Sequence, residues 1–144
     1  MPNFSSAGQA SLEYMIILAL SLLVFSTILY VTNSLISTSS IQVGVDAAYR
    51  AVDKIRDAAD FIYVHGHPSR TEINVYIPPN IESLEIVGSN NSVRARVSVG
   101  QAYTDIYGVT KGELYGNLSS VMREGYYIFR VESTSENSIN ITRL

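Results

Sequence analysis

The chain has 144 residues, a formal net charge of −3, ten tyrosines, no tryptophan and no cysteine. That length holds one anchor and one small globular domain of roughly a hundred residues. The lack of cysteine excludes disulfide staples and thiolate metal sites, and the lack of a basic cluster leaves no electrostatic footprint for nucleic acid.

Charge is spread unevenly: of 23 charged residues only Glu13 precedes Asp46. Residues Met1–Gly8 form a short polar leader ending in small residues, followed by Gln9-Ala10-Ser11-Leu12-Glu13-Tyr14 and an uninterrupted apolar run from Met15 to Val31. The run contains no charge, glycine or proline. As a helix it spans about 26 Å at 1.5 Å per residue, close to the hydrocarbon thickness of a bilayer. Tyr14 and Tyr30 bracket it, as aromatic residues do at membrane interfaces. A carboxylate at its edge is costly in lipid and suggests a job in assembly.

After a Ser/Thr-rich stretch from Thr32 to Gln42 the pattern becomes amphipathic. Val45, Ala48, Val52, Ile55, Ala59 and Ile62 recur every three or four residues and define one apolar stripe. Asp46–Arg50 and Arg56–Asp60 stand at ion-pair spacing on the other face. With no proline between Gln9 and Gly66, residues 9–66 are predicted as one long helix, with Gly44 the favoured point of bending and Gly66-His67-Pro68 its end.

Strand patterns follow in residues 67–144. Ile73, Val75 and Ile77 alternate with Asn74 and Tyr76; Leu84 and Ile86 lead into the turn Gly88-Ser89-Asn90-Asn91. Val93, Ala95, Val97 and Val99 oppose Arg94, Arg96 and Ser98, which read as a solvated face. Further strands fit 126–132 and 138–143, while 100–125 reads as a short strand plus loops. The predicted fold is α+β: a long N-terminal helix packed through its C-terminal half on a small antiparallel β-sheet domain.

The leader, the Gln9–Tyr14 hexapeptide, the hydrophobic helix and the β domain together resemble archaeal type IV pilins, more narrowly the group with class III signal peptides and a Q-x-S-x-E-Y start. The motif covers about seven residues, and the general plan covers the whole chain. The resemblance implies a cut by prepilin peptidase between Gly8 and Gln9, with Ser11, Glu13 and Tyr14 serving assembly and Glu13 paired with a neighbour's N-terminal amine. It further implies storage in the cytoplasmic membrane, then a homopolymeric surface filament built by an assembly ATPase and a platform protein. The leader departs from the family pattern in having Ala7, not a basic residue, before Gly8. The alternatives are a secretory signal peptide, a permanent membrane anchor carrying an extracellular binding protein, or a minor pilin-like subunit. A Glu13 that merely snorkels to the headgroups is the plain reading against assembly.

Three N-glycosylation sequons in the outer domain start at Asn90, Asn117 and Asn140, and the Asn3 triplet would leave with the leader. The tyrosines suit core, groove or subunit contacts, and surface tyrosines suit adhesive recognition. His65 and His67 flank Gly66 without a third ligand and read as loop residues, so no metal or cofactor is expected. No nucleophile elbow, phosphate loop or telling carboxylate pair among Asp105, Glu113 and Glu124 points to an enzyme.

Overall fold

The computed structural model describes residues 4–119 and 123–144, the side chains of Phe4–Gln9 excepted. The chain is α+β: helix α1 (Phe4–His65) is followed by strands β1 (Arg70–Ile77), β2 (Ile81–Val87), β3 (Ser92–Val99), β4 (Ala102–Val109), β5 (Glu113–Gly116), β6 (Gly125–Ser133) and β7 (Ser138–Arg143). Two compact units divide it, residues 1–40 and 41–144. The described residues of the first unit are helix alone. Helical backbone already begins at Phe4, inside the stretch expected to be a separate leader.

In the second unit, the stripe read from the sequence is the buried face of α1. Ala48, Val52, Ile55, Ala59 and Ile62 are buried, as are Ala51 and Ala58 beside them. They join one core with Val75, Ile77, Phe129, Val131, Ile139 and Ile141 from one sheet and Leu84, Val93, Ala95, Val97 and Ile106 from the other. The alanines let the sheets approach the helix closely, and the β-branched residues supply stiff bulk against them. Gly66 ends α1 with φ 71°, its N–H donating to the Ile62 carbonyl at 3.0 Å, the left-handed cap that glycine adopts without strain.

The strands form two sheets rather than one. The four-stranded sheet runs β1-β6-β7-β5, and the three-stranded sheet runs β2-β3-β4. All pairs are antiparallel except β5–β7, where Leu114 stands against Ile139 in a parallel register. The main addition to the sequence reading is β4, eight residues long, in the region expected to be mostly loop. Its exposed Tyr103 and Tyr107 and its glycine obscure the alternation that marks a strand.

Two glycines mark close approach. The helical pattern continues through Gly44, and a Cβ there would come within 2.5 Å of the Asn80 side chain in the β1–β2 turn. A Cβ on Gly108 of β4 would come within 2.6 Å of Val52 Cγ1 on α1. Gly108→Ala is therefore expected to lower unfolding stability by about 1–3 kcal/mol, because the stiff Val52 side chain leaves little room to give. Adding Val52→Ala makes room for the new methyl, so the double variant loses less than the two single losses combined in chemical denaturation. Strict additivity would contradict this packing.

Candidate functional site

The candidate site is the apolar half of α1 and the carboxylate at its start. Between Ala10 and Ser40 every side chain is exposed, and Phe25 keeps 58% of its surface open. An 18-residue window in the helix reaches a mean hydropathy of 2.4, with none of it buried. Eleven Leu, Ile, Val and Phe residues lie between Ile16 and Val31. At roughly 0.3–0.6 kcal/mol each, they favour transfer into lipid by about 3–7 kcal/mol. A glutamate costs about 2.5–3.5 kcal/mol at a membrane centre and less at the edge, so the apolar run outweighs Glu13.

Two hydroxyls within the run do not offset this. Ser21 Oγ donates to the Ile17 carbonyl at 2.8 Å, and Thr27 Oγ1 donates to the Val24 carbonyl at 2.7 Å. Each is satisfied by its own helix and needs no water. Farther along, Thr38 Oγ1 bonds the Ser34 carbonyl at 3.1 Å in the same way.

Ser11, Glu13 and Tyr14 lie within about one turn of the exposed helix. Among the described residues no hydrogen bond or ion pair engages Glu13. Gly8 and Gln9 have helical backbone, but the Gln9 side chain lies outside the described residues.

The three sequons occupy different settings. Asn90 is exposed at the β2–β3 turn. Asn117 is exposed after β5, where its Oδ1 accepts from both the backbone N–H and the hydroxyl of Ser119. Asn140 is half-buried on β7, between β6 and β5, and its amide donates to Glu132 Oε1 at 3.5 Å.

The charged faces organise differently from the expected helix spacing. Arg56 pairs with Asp53 and Asp57, both at 2.8 Å, and not with Asp60. Asp60 Oδ1 instead accepts the Lys111 backbone N–H at 2.9 Å and ties the β4–β5 connection to the helix. Arg94 meets Glu85 at 2.6 Å, and Arg96 grips Asp105 with Nε at 2.9 Å and Nη2 at 3.1 Å. The solvated face expected for Arg94 and Arg96 is thus a ladder of cross-strand ion pairs. His65 Nδ1 donates to the Phe61 carbonyl at 2.8 Å and His67 Nδ1 donates to the Ser133 carbonyl at 3.0 Å, since a carbonyl can only accept. Among the described residues no group of three or more potential ligands gathers for a metal.

What the sequence reading did not bring together is a groove where α1 passes the edge strand β1. Tyr76 and Tyr126, opposite each other in the β1–β6 register, hold their rings 5.1 Å apart. Lys54 Nζ donates to the Asn74 carbonyl at 2.6 Å on the edge that β6 does not use. The only sequence signal was that Tyr76 falls on the polar side of its strand.

No protein-family model, curated protein or solved structure matches the chain.

The Arg96 guanidinium holds the Asp105 carboxyl below its ordinary value of 3.8, against the smaller opposing effect of partial burial. A depressed folded-state value stabilises the fold above the ordinary range, and that contribution disappears as pH falls through the folded value. The stability gap between the native chain and Asp105→Asn should therefore be constant at neutral pH and close progressively below about pH 4. Thermal unfolding across pH measures it, and a gap independent of pH would contradict the pairing.

Proposed function

We propose that this chain is the structural subunit of an archaeal type IV adhesion pilus. The observation that carries the reading is an apolar helix exposed on all sides with a single carboxylate, Glu13, within the Gln9–Tyr14 motif at its start. Such a surface is stable in a bilayer and equally in a bundle of its own copies. Moving from lipid to bundle changes apolar burial little, so packing and polar pairing set the direction. A free amine at Gln9 of a neighbouring copy, created by prepilin peptidase, neutralises Glu13 in the low-dielectric core and fixes the axial register. The precursor resides in the cytoplasmic membrane; an assembly ATPase and a platform protein drive extraction, and the β domain faces outward as the glycan-bearing cell surface. No catalytic or cofactor role enters this reading.

The second reading is a membrane-anchored extracellular binding protein or a minor pilin-like subunit. The open tyrosine groove favours it, and it predicts scattered membrane monomers instead of polymers.

Glu13→Gln and Glu13→Ala should insert in the membrane normally and yield at least about tenfold fewer filaments, the size of effect that the loss of roughly 1.4 kcal/mol in one equilibrium produces. Filaments recovered by shearing from cells producing each variant measure this, and normal yields would remove the role given to Glu13. Intact mass of the native chain should show sugar on Asn90, which is lost in Asn90→Gln, and none on half-buried Asn140. Sugar on Asn140 with Asn90 bare would reverse the accessibility argument.

A further inference from the structure

We propose that the groove between α1 and the free edge of β1 binds a saccharide, specifically a pyranose bearing a carboxylate, as in an acidic polysaccharide. The groove has a volume of about 500 Å³, within the usual range for small-ligand sites. Its walls carry Asp46, Arg50 and Lys54 from the helix, Asn74 and Tyr76 from β1, and Tyr126 from β6. All belong to residues 41–144.

Each feature narrows the ligand. The two tyrosine rings present apolar faces, and Tyr126 is 75% exposed, an arrangement that suits the C–H face of a sugar ring. Tyr76 is fixed by its hydroxyl, which donates to Glu124 Oε1 at 2.7 Å, so the platform is preorganised. Asp46 and Arg50 have no hydrogen-bond or ion-pair partner among the described residues, although their spacing permits one with each other. A carboxylate that only accepts needs ligand hydroxyls, and a polyol supplies them. A guanidinium suits a planar carboxylate in two-point contact. With Lys54 already on the Asn74 carbonyl, Arg50 is the unengaged cation of the wall and the group that would meet an anion.

Other occupants fit less well. An extended peptide adding to β1 needs the Asn74 carbonyl, which Lys54 already occupies. A purely apolar ligand would strip water from three charges without replacing it. A nucleic-acid strand would find only two cations on a chain of net charge −3. The inference does not rest on polymerisation, since the groove is complete within one chain.

Isothermal titration of the full chain in detergent micelles with tetragalacturonate and with neutral maltotetraose tests it. The expected result is saturable binding of the acidic sugar, at least about tenfold tighter than the neutral one. Tyr126→Ala should weaken it about tenfold or more, and Arg50→Gln should bring the two sugars to similar affinity. Tyr103→Ala, on the other sheet, should change nothing. Both tyrosines are exposed, so neither substitution opens the core. Absence of saturable binding to tetragalacturonate, equal affinity for the two sugars, or an equal loss in Tyr103→Ala would overturn the assignment.

Discussion

One helix is required to satisfy two solvents. From Ile41 to His65, α1 presents a stripe of small and β-branched side chains to two sheets and is finished as a structural element. From Met15 to Val31 the same helix carries no charge, and every one of its side chains is exposed among the described residues. A large contiguous apolar surface of this kind suits a membrane or a partner. Everything else follows from how this demand is met.

The second unit is built to stay folded whichever environment holds the first. Its core is anchored by helix residues that do not reach into the apolar segment, and its surface carries three cross-strand ion pairs that are individually weak. Tyrosine provides most of the large aromatic surface. Tyr76, Tyr103, Tyr107, Tyr115 and Tyr126 are all exposed on strands, amphipathic enough to remain in water and apolar enough to meet a ligand or a neighbouring copy.

Much of this was legible before folding. The period of three and four from Val45 to Ile62 is a strong local signal, and the alternation in Ile73–Ile77 and Val93–Val99 marks strands whose one face is buried. The lone Glu13 is visible because charge is otherwise missing around it. The rest depends on long-range geometry. That β5 runs parallel to β7, that Asp60 turns from Arg56 to a distant backbone N–H, and that Gly44 admits Asn80 are consequences of which elements meet, and sequence spacing carries no trace of them. β4 was obscured because its outward positions carry tyrosines, which read as apolar and blur the period of two. Tyr126 and Tyr76 belong to different strands, and only the register makes them neighbours.

The central claim is that copies of the Ala10–Val31 helix cover one another. Electron cryomicroscopy of filaments sheared from cells that make this chain tests it most directly. The account predicts an axial bundle of helices whose side-chain density fits Ala10–Val31, with Glu13 against the first residue of a neighbouring helix. Filaments whose axis is built by another chain, with this one confined to membrane monomers, would contradict it.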